Sequence, residues 1–221
     1  GGGAQTIRAT TYYNVSLEGS GTKSLQNSTT ISNNLTIANG VAFSLGNQTL
    51  NIGGNWDDAN TTDQFTEGGT VVFNGGGLQT VKEVSPFQHI TKSGSGTLRL
   101  LRDLSMYGNL NLQGGYIDGN GYTFKVTNGV GTAVTRSGGW FYNGTFTRTL
   151  NGTSQDYLYP MGTSSYYRPL VMNFSTISGS TDVSLQFISS SPAGFSPYND
   201  GVDLANLFEE GYWRLQCTGT P

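Results

Sequence analysis

The stretch EGSGTKSLQNSTTISNNLTIANG, residues 18–40, comes round again as KSGSGTLRLLRDLSMYGNLNLQGG, residues 92–115. Gly19-Ser20-Gly21-Thr22 returns as Gly94-Ser95-Gly96-Thr97, Leu25 as Leu100, Asn34-Leu35 as Asn109-Leu110 and Gly40 as Gly115, always about 75 residues later. The register extends outward, because Tyr12-Tyr13-Asn14-Val15 falls on Phe87-Gln88-His89-Ile90. A one-residue slip near Gly119 then brings Leu50 and Ile52 onto Phe124 and Val126. Self-similarity of this kind marks a repeat architecture.

The units are strands. β-branched and aromatic residues alternate with polar ones around Ile31, Leu35 and Ile37, around Val41, Phe43 and Leu45, and around Val71 and Phe73, with Gly or Asn between the runs. No long stretch repeats at 3.6 residues; only residues 201–211 suggest a short helical turn. The chain is therefore expected to be all-β. A coil of a parallel β-helix takes on the order of 25 residues, so one sequence repeat predicts about three coils, and the chain about six.

Composition agrees with stacking. Charged residues make up 11% of the 221, where soluble domains carry roughly a quarter. In a parallel solenoid each side chain lies roughly 4.8 Å from its counterpart on the next turn, and two like charges at that distance repel by about 1 kcal/mol even in water. Ser, Thr and Asn avoid that cost, and stacked Asn side chains hydrogen-bond along the axis. The 33 glycines are assigned to corners that need positive φ.

Residues 1–155 accordingly read as a right-handed parallel β-helix. From about residue 156 the rhythm changes: Pro160 and Pro169 interrupt it, and longer alternating runs follow at Leu170, Met172 and Phe174, at Val183, Leu185 and Phe187, and at Trp213, Leu215 and Cys217. Residues 156–221 thus predict a small antiparallel β-sandwich or capping module, incomplete if further strands follow. Cys217 reads as a buried thiol packed as a small hydrophobe.

A net charge of −3 without basic clusters argues against nucleic acid and anionic membranes as partners. The longest apolar runs are too short to span a bilayer, and no basic-then-apolar signal stretch opens the sequence. Export would imply a signal removed upstream. Eight Asn-x-Ser/Thr sequons follow from composition and are not read as glycosylation.

Several longer elements carry a family likeness. The run NNLTI, VAFSLGNQTLNIGGNW, GGTVVFNGGGLQTV and FQHITKSGSGTLRLLRDLSMYGNLNLQGGYIDGNGYTFKV resembles the repeat of large secreted surface proteins and adhesins of Bacteroidota. FYNGTFTRTL, YLYPMGTSSYYRPLVMNFS and EEGYWRL are similar to the module that follows it there. The resemblance implies export, commonly by the type IX route, and a place on the cell surface or in extracellular fibres.

Chemistry is sparse. Asp57, Asp58 and Asp63, with Glu67 nearby, form the one dense acidic group and are the candidate calcium ligands; paired carboxylates also suit glycosidase acid–base work. The DGNG of residues 118–121 reads as a tight turn, and Asp200 and Asp203 are treated likewise. His89, the one histidine, reads as a stacked polar corner in the place of Asn14. No nucleophile elbow, phosphate loop or dinucleotide fingerprint occurs, and no cofactor beyond Ca²⁺ is expected.

The aromatics Trp140, Tyr142, Tyr166 and Tyr167 are the candidate ligand contacts, either as a sugar-stacking strip or as a cover for the solenoid end. The expected role is non-enzymatic: an extracellular stalk or fibre subunit contacting surfaces, glycans or sister subunits. The rivals are a carbohydrate-active β-helix enzyme, a carbohydrate-binding module, and an ice-binding protein, which would need regular Thr rows on one flat face.

Overall fold

The computed structural model describes residues 2–66, 68–177, 179–190 and 211–218. Strands mostly of three or four residues wind into a parallel β-solenoid of eight turns and three faces. The second face has seven strands, from Thr11–Tyr12 to Val134–Arg136, and the third has eight, from Val15–Leu17 to Met161–Gly162. The first face runs through Gln5–Ile7, Thr22–Leu25, Ala42–Ser44 and Phe65–Thr66. It narrows to a single bridge between Phe87 and Met106, then resumes with Leu104–Met106, Thr123–Val126 and Thr145–Leu150.

One turn is shorter than expected. Partners on successive turns lie 18 to 25 residues apart, as in Gln5 with Lys23, Ile90 with Leu110 and Trp56 with Val81. The 75-residue repeat is therefore out of phase with the coil. Strand Thr22–Leu25 on the first face corresponds to Thr97–Leu100 on the third, and Leu35–Ile37 on the third corresponds to Leu110–Leu112 on the second. Each copy advances three turns and two of the three faces. Leu35 and Leu110 are both fully buried in the same wound core, from different sides.

Alternation drives the winding. Inward residues such as Leu35, Ile37, Leu50, Ile52, Leu98 and Ile117 are fully buried, and each contributes about 1.5–3 kcal/mol by leaving water. Midway along the axis Trp56 packs against Phe43, Phe65 and Phe87, at ring-centroid distances of 6.0, 5.4 and 5.1 Å.

Corners are built by two devices. Asn14 Oδ1 accepts from the Asn34 N–H at 3.0 Å, Asn34 Oδ1 from the Asn55 N–H at 2.8 Å and Asn55 Oδ1 from the Thr80 N–H at 2.8 Å. Each asparagine thus tethers the turn stacked on it. The second device is glycine, used in two ways: Gly40, Gly46, Gly115 and Gly139 take the positive φ expected of corners, while others serve a steric need. A Cβ on Gly75 would come within 2.3 Å of the Gly53 carbonyl oxygen, and one on Gly94 within 2.2 Å of that of Gly75, yet neither glycine has positive φ. Close stacking of backbone on backbone excludes side chains there.

At the far end the chain direction reverses. Thr181–Ile188 pairs antiparallel with Thr145–Leu150, and Tyr212–Thr218 pairs with Thr181–Ile188, so the first face continues into an antiparallel extension. Tyr157–Tyr159 and Leu170–Met172 form a separate two-stranded pair. Arg148 is fully buried at this junction, donating to the carbonyls of Val130, Gly131 and Leu158. Burial lowers its pKa to about 10.

Cys217 is exposed rather than buried, as are Trp213 and Leu215. Their alternation is genuine. The strand carrying it is outermost in its sheet, where burial on one face is not enforced by a further described strand. The helical turn expected at 201–211 falls, apart from Gly211, outside the described residues, as do Glu67, Asp200 and Asp203.

Candidate functional site

The three calcium candidates are not gathered. Asp57 and Asp58 are consecutive in strand Trp56–Asp58, so they face opposite sides of the sheet. Asp57 points outward to Lys82 at 3.5 Å, with side chains 57% and 42% exposed, a pair of little energetic weight. Asp58 points inward and is buried, while Asp63 is exposed in the following loop. Among the described residues no group of three or more His, Cys, Asp or Glu could hold a metal ion.

Asp58 instead meets a residue that the sequence did not single out. It continues the inward column of Leu17 and Ile37, and Glu83 stands above it on the next turn. Both are only 1% exposed. Asp58 Oδ1 accepts from the Asn60 N–H at 2.7 Å. Glu83 accepts from Trp56 Nε1 at 2.9 Å and from the Val84 and Ser85 N–H groups at 2.8 and 2.9 Å.

Burial first, and then the Asp58 charge, push the Glu83 pKa up to about 7 against the pull of those donors. Below that pH Glu83 carries a proton. Sealed inside the core, they have no path to a substrate, and their chemistry is that of a turn-to-turn clasp. The 25-residue offset between them is a one-turn step, visible only once the winding is known.

Two further readings are settled by geometry. Asn120 and Gly121 have φ of 51° and 86°, and the Tyr122 N–H returns to the Gly119 carbonyl at 2.8 Å, so the DGNG stretch makes a tight turn, closed over residues 119–122. Asp118 anchors it, accepting from Arg99 Nε, the Asn120 N–H and Asn143 Nδ2. His89 Nδ1 accepts from the Asn109 N–H at 2.9 Å, the same service that Asn14 performs one repeat earlier.

The Thr residues that look scattered in sequence are partly ordered by the register. Thr11, Thr30, Asn51, Val72, Thr91, Asn111 and Thr135 stand in one outward column of the second face. The column is uncharged, but Asn51, Val72 and Asn111 interrupt the threonines.

The aromatic candidates do come together on the third face, near its C-terminal end. Tyr116 and Trp140 are paired in register, with ring centroids 4.7 Å apart. Tyr167 lies 5.7 Å from Trp140, with the Arg136 guanidinium 3.7 Å over its ring, and Tyr142 lies 6.3 Å from Tyr116. All four rings are half-buried. Trp140 Nε1 donates to the Thr163 carbonyl at 2.7 Å, tying the row to the 163–167 turn. Tyr166 is 63% exposed and lies under Arg168. The row is thus both a junction and a partly open surface.

Beside it lies a groove of about 410 Å³ whose lining includes Tyr142, Asn143, Thr163, Gln186, Phe187 and Ser189. Burial, followed by the nearby Asp118 charge, raises the Tyr142 pKa above its ordinary value, so the phenol is neutral across the physiological range. Gln186 and Ser189 were not among the residues chosen from sequence; they reach the groove because Thr181–Ile188 folds back onto the solenoid. No family model, curated protein or solved structure matches this chain.

Proposed function

We propose that this chain is a non-enzymatic structural and adhesive part of an extracellular surface protein or fibre, exported as the resemblance to Bacteroidota surface repeats implies. Residues 1–155 serve as a rigid rod and residues 156–221 as its end module. The observation that carries this reading is the stacking of eight turns, continuous on the second and third faces, through backbone ladders and neutral polar columns. Such a body resists deformation along its length and offers uncharged faces to glycans, surfaces or sister subunits.

The test is retention under flow. Beads carrying the chain are passed over immobilised polysaccharides and over a layer of the same chain, while released sugar is measured in the effluent. Retention on at least one surface without sugar release is expected. Catalytic release of sugar, or a complete lack of retention on every surface, overturns the proposal.

A further inference from the structure

We infer that the groove beside Tyr142 binds a neutral oligosaccharide; this rests on the adhesive reading and names the ligand of that surface. Its volume, about 410 Å³, lies within the range of roughly 300–1,000 Å³ that small-molecule sites use. Tyr142 and Phe187 supply aromatic surface for the apolar C–H faces of sugar rings. Ser164 and Ser189 supply hydroxyl groups that donate and accept, and their side chains make no hydrogen bond with another described residue. They are free to serve a polyhydroxyl ligand.

Charge decides the ligand class. Among the described residues no acidic or basic side chain lines this groove, so a uronic acid or phosphate would lose hydration there without gaining a counter-charge. The wider groove at Arg102, Asp103 and Lys125 differs in this respect. There Lys125 is paired with Asp182 at 2.5 Å, and Asp103 accepts from the Thr123 N–H at 2.8 Å, so much of its polarity is already spent.

The neutral groove is also held in shape. Asn143 is fixed at φ 55° and donates to Asp118 at 2.9 Å, and Tyr142 leans on Tyr116. Gly162 lies so close to the Tyr166 carbonyl and the Trp140 indole that a Cβ would approach them within 2.1 and 2.9 Å. A second groove of about 340 Å³ shares Thr163 and Ser189 with the first and carries the exposed Tyr166 with Arg168 over its ring, the one charged side chain among its described lining residues. The continuous path fits a chain of sugars better than a single ring.

Titration calorimetry with neutral glucose-, mannose- and xylose-based oligomers, alongside a uronic-acid oligomer, tests this. At least one neutral oligomer is expected to bind, with little dependence on salt. Tyr142→Ala should weaken it about tenfold, and Ser189→Ala about threefold. Tyr166→Ala should weaken long oligomers and leave short ones unchanged. Ser189 is an exposed side chain, so its variant remains informative if Tyr142→Ala fails to fold.

Binding of none of the neutral oligomers, preference for the uronic-acid oligomer, or neutral binding indifferent to both Tyr142→Ala and Ser189→Ala overturns the inference. Retention of Ser189→Ala beads under flow separates the two proposals. If wild-type and variant beads are held equally while no neutral oligomer binds, the adhesive reading stands and the groove is not its ligand site.

Discussion

Asn14, Asn34 and Asn55 stand on successive turns at one corner of the solenoid, and Asp58 and Glu83 stand on successive turns at another. Both are polar stacks one coil apart, but they solve stacking differently. Each asparagine accepts a backbone N–H from the turn above, and its neutrality makes the arrangement indifferent to pH. Two carboxylates in the same relation repel, and they coexist only because Glu83 keeps a proton well above the ordinary carboxylate range. The scarcity of charge in this chain follows from that contrast. A charged column must be neutralised at every turn, whereas an amide column need not be.

The largest effect should come from removing the clasp's support. Trp56 is fully buried, packs on three phenylalanines and donates to Glu83. Trp56→Ala should cost about 3–5 kcal/mol in urea denaturation. Trp56→Phe retains most of the packing and isolates the lost hydrogen bond to a buried acid, at about 1–3 kcal/mol.

Next comes the proton itself. The Glu83 pKa is raised on folding from 4.5 to about 7, so the folded chain binds the proton more tightly. Its contribution is fully present below pH 4.5 and is lost as pH climbs to about 7, a fall of up to about 3 kcal/mol. Glu83→Gln, which keeps a donor toward Asp58, should flatten that part of the profile. Denaturation midpoints of both proteins from pH 4 to 8 measure it; a wild-type profile parallel to that of the variant would refute the raised Glu83 pKa.

The amide column should respond more weakly and without pH dependence. Asn34→Ala strands the Asn55 N–H and should cost about 1 kcal/mol equally at pH 5 and pH 8. Smallest of all is His89→Asn, which replaces one corner acceptor by the type used at Asn14 and should shift stability by less than about 0.5 kcal/mol. A large loss there would mean that the two corners are not equivalent.

Much of this was readable beforehand. Alternation located Ile31, Leu35, Ile37, Leu50 and Ile52 as core, and the repeat paired Asn14 with His89, which share one task. Coil length was misjudged because corners of one or two Gly or Asn residues let a turn close in about 20 residues. The acid group was misread for a different reason. Neighbouring Asp57 and Asp58 diverge across the sheet, while Asp58 and Glu83 converge through a register that local spacing does not encode. The groove was half visible: Tyr142 in its wall was chosen from sequence, but Phe187 and Ser189 join it by long-range antiparallel pairing.

Sequence by itself determined that the chain is all-β, wound and poor in charge, because side-chain alternation and like-charge repulsion act over one or two residues or one repeat. The tertiary structure decided which residues meet. Phase between repeat and coil is fixed by how tightly corners pack, and that packing sets whether an acid faces water, a lysine or another acid.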